Sequence, residues 1–304
     1  MWSDRWGSNF PGSVPGAADG PALPGLSVSG DRASKVFSFP FSDSDSVVIE
    51  LRMGYTLHES DVVKKSLLYG ETRMKKLGIL GGMGPESTIL YYKEIVKKFS
   101  QKDPNGAFPS LSIETVNMYE MLGFCKSRKY RELTEYLLTG IYNLERSGAD
   151  FIILASNTPH VVFEQLEERA HVPMLSIIDP TFQAIQREGY KKVAWLGTAF
   201  TMEQPFFRKK FIDNGIQVSV PNEEEIKEID QIIARELEFG IVNPESKSRV
   251  DAAIQRLIYE EDIEAVIMGC TELPLMYADG KLPVPVFDTM QYHINGIVDH
   301  MFED

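Results

Sequence analysis

Positive charge is in short supply in this 304-residue chain: 31 Lys and Arg stand against 44 Asp and Glu, a formal net charge of −13. That balance argues against a broad surface for nucleic acid or an anionic membrane, although it leaves room for a local anion site. Cysteine is scarcer still. Only Cys125 and Cys270 occur, too few and too far apart for a disulfide framework, which fits a reduced, cytoplasmic setting. No run approaches the roughly 18 apolar residues that a membrane helix needs. The opening MWSDRWGSNFPGS has no apolar signal-peptide core. The five His are scattered without His-Glu-x-x-His or Cys/His spacing, so no metal site is expected.

What is present changes character near Met74. Residues 1–73 are rich in Gly, Pro, Ser and Ala for much of their length, a composition that buries no core, and they read as a disordered N-terminal extension. The run SVVIELRMGYTL within them has strand character but no obvious partner. From Met74, where the folded part is expected to begin, apolar strands alternate with amphipathic helices. KKLGILGG is a buried strand, after which Ile89, Tyr92, Val96 and Phe99 recur at helical spacing. Thr201 and Gln204 have the spacing of a capping box, and helices are expected over 223–239 and 246–259. Such alternation implies α/β architecture with mostly parallel sheets.

The chain also repeats itself. Lys75-Lys76 and Leu80-Gly81 recur as Lys191-Lys192 and Leu196-Gly197, displaced by 116 positions. DFIILASNTPH recurs in outline as EAVIMGCTELP, with Ser156 and Cys270 displaced by 114. The repeat implies two Rossmann-like lobes related by a pseudo-twofold, over 74–190 and 191–304, the C-terminal helix packing back on the first lobe. A ligand belongs in the cleft between them, at the carboxyl ends of the strands.

Those ends read Ala155-Ser156-Asn157-Thr158-Pro159-His160 and Gly269-Cys270-Thr271-Glu272-Leu273-Pro274. Each sets a nucleophilic or acid/base atom where a strand gives way to a helix, whose N–H groups favour a thiolate. Thr158, Thr271 and Asn157 add donors for a small anionic ligand. His160 either orients a site residue or serves structure alone, and Glu272 either tunes the thiol or caps the helix. Gly82-x-Gly84 is followed by Pro85 and lacks the third glycine of a dinucleotide fingerprint, so a nucleotide cradle is discounted.

These motifs resemble the aspartate/glutamate racemase superfamily. LGILGGMGPEST, GCTEL, TMEQPFF, PVFDT and VNMYEM are similar to its aspartate racemase and broad-specificity branch. The resemblance implies racemisation of an acidic amino acid without a cofactor, in a homodimer. One thiolate removes the α-proton while a thiol on the opposite face returns one, and fixed donors stabilise the developing charge. Thr158, Thr271, Asn157 and the Gly82-Met83-Gly84 backbone would bind the carboxylate. Lys227 falls where the family often has a basic side chain. Where the family usually has a first cysteine this chain has Ser156, a poor base that can still donate or relay a proton. Cys270 is then the principal acid/base. A single-cysteine decarboxylase, another isomerase, or a defunct amino-acid-binding protein remain as alternatives.

Overall fold

The computed structural model describes residues 74–303 apart from 279 and 281, and three strands nearer the N-terminus. Those strands are β1 (Ser27–Ser29), β2 (Ser34–Phe41) and β3 (Asp45–Arg52), in antiparallel order β1-β2-β3. The run SVVIELR therefore has a partner after all, because Phe39 pairs with Val47 and Phe37 with Ile49. The disorder expected for the rest of residues 1–73 concerns residues outside those described.

From Thr72 a second unit begins. Strands β4 (Leu77–Gly81), β5 (Leu111–Thr115), β6 (Phe151–Leu154) and β7 (Met174–Leu175) form a sheet ordered β5-β4-β6-β7. Strands β8 (Lys192–Leu196), β9 (Gln217–Ser219), β10 (Ala265–Met268) and β11 (Val286–Asp288) form another, ordered β9-β8-β10-β11. Every pairing in both is parallel. The helices are α1 (Pro85–Lys102), α2 (Met118–Lys126), α3 (Tyr130–Arg146), α4 (Phe163–Glu167), α5 (Ile178–Glu188), α6 (Ala199–Glu203), α7 (Phe206–Asp213), α8 (Glu223–Arg235), α9 (Pro244–Glu261) and α10 (Thr289–Met301). This is an α/β fold of two parallel-sheet lobes.

The duplication extends to individual hydrogen bonds. Asp150 N–H donates to Lys76 O in one lobe, and Glu264 N–H to Lys192 O in the other. At the far ends, Ala155 N–H donates to Leu80 O and Gly269 N–H to Leu196 O. The short strands repeat too: Ile152 N–H bonds Pro173 O, as Val266 N–H bonds Pro285 O. Equal strand order and equal ladder ends place the Ser156 and Cys270 backbones at corresponding points.

The lobes are tied by exchanged helices. Helix α5, which follows β7 in sequence, buries Ile178, Phe182 and Ile185 in the second lobe's core with Trp195 and Phe211. Helix α10, which follows β11, buries Met290, Ile294 and Ile297 against Leu77, Tyr91 and Ile95 of the first. Each such side chain contributes roughly 1.5–3 kcal/mol on burial, so neither lobe has a complete core without the other's helix.

Three local expectations need correction. On α1 the buried stripe is Thr88, Tyr91, Ile95 and Phe99, whereas Ile89 and Tyr92 are 43% and 46% exposed. The apolar residues there fit two helical faces, and only packing chooses between them. Thr201 is not a helix cap: Thr198 caps α6, accepting from Thr201 N–H, and Gln204 comes after the helix end. Helix α8 stops at Arg235 and gives way to a 3-10 turn (Leu237–Phe239), closed by Gly240 in the left-handed region.

Candidate active site

A cavity of about 80 Å³ lies at the carboxyl ends of the strands, lined from both lobes. A water needs about 10–15 Å³ by this measure, so the space suits a single amino acid and not a nucleotide. The loops after β4, β6, β8 and β10 all reach it, bringing Gly84, Ser156, Thr198 and Cys270 to one place. Helix α2 adds Met118, Met121 and Leu122, and α8 adds Ile233.

The loop after β4 needs glycine. Gly82 has φ +83°, and a Cβ there would sit 2.5 Å from Val116 O. Its N–H donates to Thr88 Oγ1 at 2.9 Å. The Gly82 amide is thus already used, and in this loop only those of Met83 and Gly84 lack a hydrogen-bond partner among the described residues. Glycine is equally required at Gly269, where a Cβ would collide with the buried Trp195 ring. Gly269→Ala is expected to destabilise the protein by about 1–3 kcal/mol through overpacking, read as a lower midpoint in urea.

Cys270 is 5% exposed and Ser156 9%. Cys270 Sγ donates to Glu272 Oε2 at 3.0 Å. The same carboxylate accepts from Thr271 Oγ1 at 2.8 Å and, across the cleft, from Ser87 Oγ at 2.6 Å. Ser87 Oγ also lies 2.7 Å from Thr271 Oγ1. Burial pushes the Cys270 thiol well above its usual range, and the Glu272 charge pushes it further. The backbone N–H groups of Glu272 and Leu273 pull it the other way, with less effect. The thiolate expected from a helix start alone is therefore overridden, because Cys270 leads into a carboxylate and only a short 3-10 turn (Leu273–Tyr277). The resting group is a thiol already hydrogen-bonded to a proton acceptor.

On the other side, Ser156 Oγ has no side-chain partner among the described residues, and its carbonyl accepts from His160 Nδ1 at 2.8 Å. His160 Nε2 in turn accepts from Ile177 N–H at 3.1 Å. Both ring nitrogens are thereby committed, the ring stacks on Phe163 at 5.1 Å, and burial pushes its pKa down to about 4. His160 is neutral, lies behind the cavity wall and holds the Ser156 loop against the start of α5. Displacing Glu272 by the same 114 positions gives Thr158, so the half with the thiol also has the carboxylate, and the half with the serine has a hydroxyl.

Asn157 differs from its expected use as a pair of donors. Its Nδ2 donates to Thr289 Oγ1 at 3.2 Å, and Thr289 Oγ1 donates to Met268 O at 2.9 Å. This chain of bonds fixes the amide orientation and leaves Asn157 Oδ1, buried in a 4%-exposed residue, without a partner. An unpaired buried acceptor in a cavity wall suits a cationic donor such as an α-ammonium. Thr271 is taken up by Glu272, so Thr158 and the Met83 and Gly84 amides are left for a carboxylate.

Lys227 does not line the cavity. It is exposed on α8, whose buried face is Ile226, Ile229, Ile232 and Ile233. That stripe, visible in the sequence, already sets Lys227 off it. Ser87, Thr198 and Glu238 also line the cavity; Ser87 falls within LGILGGMGPEST without being singled out there, and no motif covers the other two. Thr198, displaced by 116 from Gly82 of the loop after β4, could have been traced by the repeat. Among the described residues no three His, Cys, Asp or Glu are grouped to hold a metal ion, and no helix is long and apolar enough to cross a membrane.

Buried ionisable groups around the cleft set an acid limit. His293 accepts from Tyr91 Oη at Nδ1 (2.9 Å) and contacts Leu175 O through Nε2 (3.1 Å); burial pushes it down to about 3. Asp288, capping α10, is pushed up to about 6 by burial. Below pH 6.5 the unfolded chain protonates both histidines while the folded one does not, so stability falls with falling pH. Asp288 opposes this, since the folded state keeps its proton between about pH 4 and 6. Two histidines outweigh one aspartate. Stability should rise by at most about 1.4 kcal/mol per pH unit from about pH 4.5 to 6, since the raised Glu238 carboxyl also opposes the rise, and level above 6.5, measured by urea unfolding.

The family model described as Asp/Glu/Hydantoin racemase matches residues 80–297. A broad-specificity amino-acid racemase from Bacillus subtilis is 29% identical over 219 residues, 70% of this chain and 92% of that protein. Among solved structures, an aspartate racemase homologue from Pyrococcus horikoshii is 38% identical with TM-score 0.67, covering 76% of this chain and all of its own. A putative Asp/Glu racemase from Yersinia pestis is 30% identical with TM-score 0.70 over the same shares. The chain is an isomerase that belongs to the Asp/Glu/hydantoin racemase family.

Proposed function

We propose that this protein racemises an α-amino acid without a cofactor, Cys270 moving a proton on one face of the α-carbon and Ser156 on the other. The observation that supports it most is that these two side chains, from equivalent strand ends, line one small cavity. Asn157 Oδ1 receives the α-ammonium. The Met83 and Gly84 amides and the Thr158 hydroxyl receive the α-carboxylate and stabilise charge that develops on it. The incoming ammonium favours the thiolate electrostatically, and Glu272, already bonded to Sγ, takes the thiol proton. Ser156, with no adjacent base, serves as donor or relay. The scarcity of cysteine favours a cytoplasmic setting for the same reading, and the family resemblance favours a homodimer.

The missing partner at Ser156 Oγ favours a second reading, a decarboxylase or isomerase that uses Cys270 alone. Incubation of the protein with single enantiomers in deuterium oxide separates these. Racemisation predicts solvent deuterium at the α-carbon together with loss of optical purity. Carbon dioxide release from a malonate-type acid, with no exchange into amino acids, supports the single-thiol reading. Binding without either outcome indicates an amino-acid-binding protein.

A further inference from the structure

Two acidic side chains, Glu238 and Glu272, line the cavity, and no Lys, Arg or His does. Glu272 is occupied by donors from Cys270, Thr271 and Ser87. Glu238 is exposed at the cavity's edge and has no hydrogen-bond or ion-pair partner among the described residues; partial desolvation together with the charges of Glu272 and Asp230 raises its pKa. No cation among the residues lining the cavity offsets this charge.

Glu238 is nonetheless held in place. It stands on the 3-10 turn Leu237–Phe239, where Leu237 is 1% exposed in the second lobe's core. The preceding Glu236 accepts from Ser246 Oγ at 2.9 Å, tying the turn to α9. The lining also has an aliphatic part: Met118, Met121 and Leu122 from one lobe and Ile233 from the other. Unbranched Met side chains adapt around a flexible methylene stem.

We infer that the preferred substrate has a cationic side chain, as in lysine, ornithine or arginine, with Glu238 as its counter-ion. This rests on the proposed racemase reading. The α-ammonium and α-carboxylate occupy the Asn157 and Thr158 end, where the buried, unpartnered Asn157 Oδ1 marks a ligand position. The stem lies along the Met and Ile wall, and the terminal cation reaches Glu238. A second carboxylate at that place, as in aspartate or glutamate, meets two negative groups and no positive one. That charge mismatch opposes binding, at the solvent-facing Glu238 as at the less exposed Glu272.

The test is solvent-deuterium exchange by the full chain into lysine, ornithine, methionine, aspartate and glutamate, with binding isotherms for the same set. Lysine should exceed aspartate in kcat/KM by about a hundredfold or more. In Glu238→Gln the lysine-to-methionine ratio of kcat/KM should fall about tenfold or more, and Glu238→Lys should move the preference toward aspartate. Preference of the native protein for aspartate, or an equal loss on lysine and methionine in Glu238→Gln, overturns the inference. If nothing exchanges, the racemase reading fails separately, and the isotherms still decide: tighter lysine than aspartate supports the charge assignment, the reverse order overturns it.

Discussion

Replacing Cys270 with serine should lower α-hydrogen exchange by about 10²–10⁴-fold, the usual contribution of a positioned acid/base. The change is nearly isosteric, and Cys270 sits at a strand end whose backbone bond, Gly269 N–H to Leu196 O, does not involve its side chain. The fold should therefore survive with its unfolding midpoint little changed. A hydroxyl at this place would still donate to Glu272 but is far less acidic than a thiol, so the base is lost while the geometry stays. Retained exchange in a well-folded Cys270→Ser protein would remove the thiol from the mechanism.

Glu272→Gln should lower kcat by about 10²-fold or more at neutral pH, with a deficit that shrinks as pH rises. In the native protein the Glu272 charge helps raise the thiol pKa, yet its carboxylate is also the acceptor 3.0 Å from Sγ. Glutamine removes both effects. The thiol pKa falls, which by itself moves the onset of thiolate to lower pH, but no group remains to take the proton internally. The variant then relies on thiolate formed by exchange with solvent, so its rate climbs with pH where the native rate is already level. The ultraviolet thiolate absorbance should appear at lower pH in the variant, and pH profiles of kcat should converge at the alkaline end. A purely structural Glu272 would depress the rate equally at all pH values and leave the thiolate titration unmoved.

Both predictions concern residues that the sequence brought forward because their signals are local. LGILGG, DFIILAS and EAVIMG are short apolar runs ending in small residues, and such runs are buried parallel strands whose carboxyl ends face a ligand. The repeat then aligned Ser156 with Cys270, and the matched strand orders of the two sheets agree with that alignment. What escaped depends on contacts between distant segments. Ser87 reaches Glu272 from 185 positions away, and the exchange of α5 and α10 between lobes makes the break at 190/191 a boundary in sequence more than in packing. The residue type of Asn157 permits a pair of donors; only the Thr289 hydroxyl shows that its free atom is the acceptor. Lys227 stays off the cavity lining for a local reason: the helical period of its Ile neighbours turns it away from the buried face of α8.

The central claim is an unequal pair, a competent thiol facing an unassisted hydroxyl. With enantiomers as substrate and product, kcat/KM for inversion must match in the two directions, so the inequality appears in exchange relative to inversion. The most direct measurement is the partition of solvent deuterium between retained and inverted product, starting from each enantiomer of one substrate, for the native protein and for Ser156→Cys. The native protein is predicted to exchange one enantiomer, the one presenting its hydrogen to Cys270, faster than it inverts it. The other enantiomer should show no such excess, and Ser156→Cys should raise inversion toward exchange in the first. Equal partition from both enantiomers in the native protein, unchanged by Ser156→Cys, would contradict it.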